Sequence, residues 1–246
     1  MTERDRQRAI QLKLARSESK RVNRISTGFR ELDQALDGGF PRGLITELAG
    51  DPSSGKTTFA LCMVANTQQD SLRAAWIDAE HVFDPAYAAQ VGVSLEQLAV
   101  ARADTAEESL EIARQLAGSG AIDLLTLDSA AALTPAIEFE IGIGESGPGL
   151  QARVLASGFR RLAVVAAKTE TTVLVLNQIR SGASVDSSET SAGGPAVKLH
   201  SALRIALEPL STGLGAHFRI VKSRLTTPVR EGSLRFERLR DSSATL

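Results

Sequence analysis

The sequence predicts an α/β fold: a mostly parallel, twisted sheet flanked by helices on both faces, with an antiparallel extension towards its carboxyl end. Three observations carry this. From Ile25 onward, short apolar runs rich in β-formers alternate with segments of helical period, as in βαβ units. The last three apolar runs follow one another across short turns with no long helical segment between them, as antiparallel strands do. A chain of 246 residues, 43% hydrophobic and 23% charged, is long enough to bury one large core without disulfide or metal staples.

The elements follow in order. Residues 1–24 read as a basic arm: Arg4, Arg6, Arg8, Lys13, Arg16, Lys20 and Arg21 outweigh Glu3, Asp5 and Glu18, and Ile10, Leu12 and Leu14 make only a weak apolar face. The core is expected over residues 25–240 and a short tail over 241–246. Gly43–Ala49 reads as a strand, followed by a Gly/Ser loop and a helix over Thr57–Ala65. Ala74–Ile77 is a second buried strand, Pro85–Gln90 a short helix, and Glu107–Leu116 an amphipathic helix closed by Gly118. Ile122–Leu127 is a third strand, and Leu150–Lys168 a helix from which Arg153, Arg160 and Arg161 project. Val173–Leu176 is a fourth strand, ending in Asn177 and Gln178. Ser181–Gly194 is too polar to pack as core. Leu203–Leu207, Phe218–Val221 and Ser233–Leu239 are the three closing strands.

Composition excludes several function classes. The single cysteine, Cys62, cannot close an internal disulfide, and His81, His200 and His217 do not have metal-ligand spacing. No apolar run approaches the roughly 20 residues of a membrane helix, and the amino terminus is too charged for a secretory signal. A cytoplasmic protein with no membrane partner is expected. A net charge of −1 excludes a uniformly basic coat for nucleic acid, so any nucleic-acid contact must come from a local patch.

The chemistry begins at Gly50-Asp51-Pro52-Ser53-Ser54-Gly55-Lys56-Thr57, which satisfies G-x-x-x-x-G-K-[ST] between a strand and a helix. Glycines let successive backbone N–H groups turn towards a phosphate. Lys56 supplies a point charge, and the Thr57 hydroxyl can ligate Mg²⁺. The next helix points its positive end at the anion. Asp128 ends the run Leu-Leu-Thr-Leu and Glu80 closes Ala-Ala-Trp-Ile-Asp-Ala; acids at strand carboxyl ends lie where open α/β sheets bind nucleotide. Asp128 suits support of Mg²⁺, and Glu80 suits activation of a water attacking a γ-phosphate. Gln178, at the end of another strand, suits a hydrogen bond to that phosphate.

These residues resemble the core of the bacterial RecA recombinases. The carrying stretches are Ile25-Ser-Thr-Gly28 with Leu32-Asp33, Pro52–Thr58, Ile77-Asp-Ala-Glu-His81 with Asp84-Pro85 and Tyr87, and Asp128-Ser129 with Ala132-Leu-Thr-Pro135. They continue through Asn177-Gln-Ile-Arg180, Glu189-Thr190, Gly193-Gly194 and Val221-Lys222. The resemblance runs from about Ile25 to about Phe236. It implies a RecA-like P-loop NTPase core, a DNA-dependent ATPase using ATP and Mg²⁺, and a homo-oligomer or RecA filament on single-stranded DNA in recombinational repair and the SOS response.

By position, the resemblance implies that Gly50 to Thr58 hold phosphate, with Lys56, Thr57 and Thr58 gripping phosphate and metal and Asp128 supporting the metal. Glu80 is the general base, and Gln178 couples the γ-phosphate to the DNA loop after it. Asp84 and Tyr87 contact adenine, and Lys222 and Arg224 reach the ATP of a neighbouring subunit. Independently, two residues two apart on a strand share a face. Arg153, Arg160, Arg180 and the amides of Gly193 and Gly194 match contacts to the DNA backbone. No Phe, Tyr or Trp lies between Phe159 and Phe218, and Glu145, Asp186 and Glu189 stand near the expected DNA path. Binding is therefore expected to be weak, sequence-tolerant and carried by phosphates. The alternative is a RecA-related accessory protein acting through contacts with RecA and translesion polymerase components. Gly38-Gly-Phe-Pro-Arg-Gly43, whose Pro-Arg-Gly turn resembles those relatives, motivates it.

Overall fold

In the computed structural model, residues 22–141, 149–179, 194–211, 214–225 and 230–236 are described. The basic arm through Arg21, Glu145, Arg180, residues 181–193 of the polar stretch after Gln178, and the tail lie outside the described residues.

Strand β3 (Ile45–Gly50) is buried along its whole length, because it lies inside a sheet covered on both faces. Its parallel neighbours are β7 (Thr172–Gln178) and β8 (Leu203–Pro209). Beyond β7 come β6 (Leu124–Asp128), β4 (Ala74–Asp78) and β5 (Leu98–Arg102), all parallel. Beyond β8 come β9 (Gly215–Ser223) and β10 (Glu231–Arg235), both antiparallel. The described sheet has eight strands in the order β10-β9-β8-β3-β7-β6-β4-β5. A separate two-stranded ribbon pairs β1 (Arg24–Ile25) with β2 (Phe40–Pro41) around helix α1 (Arg30–Ala35). Asp33 anchors its entry by accepting from Ser26 Oγ, Thr27 N and Thr27 Oγ1 at 2.7–2.9 Å.

Helix α2 (Lys56–Gln69) and helix α3 (Pro85–Val91) cover one face. There Phe59, Met63 and Trp76 pack with Leu48, Leu174 and Leu176 in one apolar cluster. Helix α4 (Ala106–Gly118) and helix α5 (Leu150–Thr169) cover the other, with Leu110, Phe159 and Leu162 against Ile45, Val173 and Val175. Each such side chain contributes roughly 1.5–3 kcal/mol when fully buried. Asp84 caps α3 by accepting from Ala86 N and Tyr87 N, Pro85 occupies its first turn, and Gly92 ends it at φ 101°.

One expectation needs correction, and two elements went unread. The Leu203 run belongs to the parallel part of the sheet; only β9 and β10 are antiparallel. A short helix, α6 (Gly194–His200), precedes β8, and its buried Ala196 and Val197 join the cluster under α5. Edge strand β5 escaped the sequence reading, since only Leu98 of its five residues is buried and no apolar alternation marks it. The Gly38–Gly43 turn has a folding role. A Cβ on Gly39 would lie 2.1 Å from the Ile25 carbonyl oxygen, and Arg42 forms an ion pair with Asp123.

Candidate nucleotide site

The carboxyl ends of β3, β4, β6 and β7 converge, and each delivers one of the predicted groups. From β3 comes the loop Gly50, Asp51, Pro52, Ser53, Ser54, Gly55, which folds back so that Lys56 begins α2. Ser53 and Gly55 lie at φ 63° and 88°, left-handed conformations of the kind that let a loop turn backbone N–H groups towards an anion. The two glycines also have local packing reasons. A Cβ on Gly50 would lie 2.5 Å from Ser54 Oγ, and one on Gly55 would lie 2.8 Å from the Phe236 ring. The Lys56 ammonium is drawn back over the loop, donating to Gly50 O (3.0 Å), Asp51 O (2.7 Å) and Ser54 Oγ (3.3 Å). Burial lowers its pKa, against the pull of Asp128, Glu80 and Asp51.

Across the loop, Thr57 Oγ1 donates to Asp128 Oδ2 at 3.2 Å. A hydroxyl and a carboxylate side by side are the hard oxygen donors that Mg²⁺ takes alongside water and phosphate oxygens, so these two residues fit the metal and would hold it. The Asp128 carboxyl is pushed up to about 7, first by burial and then by Glu80, with Asp78 adding and the Thr57 hydrogen bond and Lys56 opposing. A cation beside it would relieve that cost.

Glu80 sits just past β4 and is held from two sides. Its Oε1 accepts from Ser129 Oγ and, at 3.2 Å, from Gln178 Nε2. The general base and the phosphate-sensing amide expected from sequence are therefore in direct contact. On α3, Tyr87 shares a 2.7 Å hydrogen bond between its hydroxyl and that of Thr58. Asp84 stands three residues before Tyr87, with one carboxylate oxygen engaged by the α3 amides.

The model for the RecA N-terminal domain matches residues 2–237 of this chain. The chain is 42% identical to Protein RecA of Leptospira meyeri over 221 residues, which is 85% of this chain and 57% of that protein. It is 40% identical to Protein RecA of Thermus thermophilus over 235 residues, 91% of this chain and 69% of that one. The chain belongs to the RecA family. It spans 57% of the length of the Leptospira relatives and 69% of the Thermus one. A RecA-family core accounts for the fold, at the carboxyl end of whose sheet Lys56, Thr57, Glu80, Asp128 and Gln178 stand.

The remaining predicted residues of this RecA-family chain lie apart from the loop. Lys222, on β9, donates to Lys198 O at 2.7 Å; Arg224 donates to Leu199 O at 3.1 Å. Arg224 lies one residue beyond the strand, yet both cations still reach the carboxyl end of α6. Arg153 and Arg160 are exposed on α5, two turns apart and so on one side. Burial, then the charges of Arg160, Arg224 and Lys222, hold the His200 imidazole below its ordinary pKa. Gly194 opens α6; Arg180 and Gly193 lie outside the described residues. Sequence reasoning missed Ser129 and Asp78. Asp78 is buried and accepts from Val82 N (3.0 Å), Phe83 N (3.1 Å) and Arg102 Nε (3.1 Å), which shapes the turn carrying Glu80. A carboxylate inside the run Ala-Ala-Trp-Ile-Asp was the available signal, since a buried acid needs partners.

Proposed function

We propose that this chain is a RecA-like, DNA-dependent ATPase that binds ATP with Mg²⁺ and single-stranded DNA and serves recombinational repair and the SOS response in the cytoplasm. The observation that carries this reading is the Lys56 loop facing a linked Glu80–Gln178 pair and a Thr57–Asp128 pair. In the proposed reaction Lys56 and the loop amides bind the phosphates, and Mg²⁺ supplies charge neutralisation when bound by Thr57 and Asp128. Glu80 orients a water and accepts its proton as a bond forms from water oxygen to γ-phosphorus and the bond to the β–γ bridging oxygen breaks. Gln178 contacts the γ-phosphate and Glu80 together. Its chain leads directly into the proposed DNA loop, so loss of phosphate alters that segment. Thr58 joins Lys56 and Thr57 in gripping phosphate and metal, Asp84 and Tyr87 contact the adenine, and Lys222 and Arg224 act on the nucleotide of a neighbouring copy in a homo-oligomer or a mixed RecA filament.

DNA binding in this reading is weak and indifferent to sequence, resting on Arg153, Arg160, Arg180 and the Gly193 and Gly194 amides. The test is ATP turnover with and without single-stranded DNA, paired with oligonucleotide titrations at two salt concentrations. Turnover should rise with DNA, and log K should fall against log salt by about 0.7 per phosphate contacted. Turnover indifferent to DNA, or tight binding indifferent to salt, would count against this reading. The accessory role with translesion polymerase components gains nothing from the relatives above.

A further inference from the structure

Glu47, Asn177 and Arg204 are buried at 0%, 0% and 4% exposure, behind the site and outside the proposed chemistry. They lie on three adjacent strands, β3, β7 and β8, with Glu47 directly beside Arg204 in the parallel register. Glu47 Oε2 accepts from Arg204 Nε, and Glu47 Oε1 accepts from Asn177 Nδ2 at 2.8 Å. Asn177 Oδ1 in turn accepts from the backbone N–H of Gln178 at 3.0 Å. Gln178 then meets Glu80. On the other side, Arg204 pairs in register with Lys222 on β9.

Burying a charged pair between two strands that also carry apolar contacts adds little stability over an apolar pair of similar volume. What the pair does supply is direction. With its carboxylate held by Arg204, Glu47 can only accept, which fixes Asn177 with its amide nitrogen towards Glu47 and its oxygen towards Gln178. β3 is also the strand that runs into the phosphate loop at Gly50, so the same carboxylate ties the loop's strand to the strand that ends in Gln178.

We propose that Glu47, Arg204 and Asn177 are positioning residues for the hydrolysis proposed above, setting the backbone of Gln178 so that its side chain holds Glu80 in line with the phosphate loop. The inference rests on the nucleotide reading. It predicts a change in turnover with little change in ATP binding, because the hydrogen bonds given above lead to Gln178.

The experiment uses the full chain. Removing one charge alone would strand the other in the core, so the pair is removed together as Glu47→Leu/Arg204→Leu. Asn177→Ala approaches the same link from its other end. Each variant is first checked for a cooperative thermal transition, then assayed for ATP turnover with single-stranded DNA. The expected result is a kcat lower by at least about tenfold with KM for ATP within about threefold. In a Gln178→Ala background the same changes should cost nothing further, because they act through Gln178. Wild-type kcat in either folded variant overturns the proposal, and so does a loss that multiplies with that of Gln178→Ala. A wild-type chain that turns over no ATP overturns the nucleotide reading itself, and the positioning role with it.

Discussion

Two buried or half-buried lysines mark two regions of this molecule, and they are built in opposite ways. Lys56 takes its acceptors from residues 6, 5 and 2 positions away, all within the loop. Lys222 and Arg224 take theirs from helix α6, 24 and 25 positions away in sequence. Their electrostatics differ too. Burial lowers the pKa of both lysines, but Lys56 is offset by Asp128, Glu80 and Asp51, whereas for Lys222 the cations Arg224, Arg204 and Lys198 add to burial and Glu47 opposes. A lysine among acids is internally balanced. One among cations gains from an anion brought from outside, which is what the proposed role towards a neighbour's nucleotide requires.

The largest effect should come from the balanced region. Lys56→Ala removes the cation of the cradle and is expected to abolish turnover, a loss of at least about 10³-fold, and to weaken ATP binding strongly. Near-normal hydrolysis in a steady-state assay would sink the assignment. Glu80→Gln keeps the shape and loses the base. Turnover should drop by about 10²-fold while ATP affinity, measured by equilibrium titration, stays close to that of the parent. Should ATP binding vanish instead, Glu80 holds the turn and does no chemistry.

The cationic region is tested by mixing. Lys56→Ala subunits combined one-to-one with Lys222→Ala/Arg224→Ala subunits should recover part of the activity. About a quarter of head-to-tail interfaces then join an intact loop to an intact cation pair. No recovery in a mixture shown to co-assemble would place both lysines in one subunit's own site and erase the contrast.

The smallest effect is on stability. Asp128 is raised from 3.8 to about 7 in the folded chain, so the native state binds a proton that the unfolded state has released between those values. Its contribution is therefore fully present below about pH 3.8 and lost as pH rises towards 7. In nucleotide-free, metal-free buffer, Asp128→Asn should flatten this slope. Relative to the parent, the variant's thermal midpoint should gain on the order of 5 °C between pH 5 and pH 8. Parallel pH profiles for parent and variant would mean that Asp128 is well solvated.

What could be read without a structure was local. The phosphate loop is a contiguous stretch whose glycines, lysine and threonine each have a stereochemical reason to stand where they do, and Asp128 and Glu80 announce themselves as acids closing apolar runs. The sheet's alternation with helices was legible for the same reason, since period and strand length are written along the chain. Strand direction was not. The Leu203 run looks no different parallel or antiparallel, and only pairing with β3 makes it parallel. The short helix α6 gave no period long enough to see.

The Glu47–Asn177–Arg204 cluster is the clearest limit. Ile-Thr-Glu-Leu-Ala and Leu-Arg-Ile each hold one charged residue, and neither segment names a partner for it. Both charges are buried because helices cover both faces of the sheet and the two strands lie side by side. Sequence by itself determined the chemistry carried by neighbours along the chain. Which strands lie together, and hence which carboxylate meets which amide, was decided only by tertiary structure, because those contacts join residues far apart in the chain, as in the 130 and 157 positions separating Glu47 from Asn177 and Arg204.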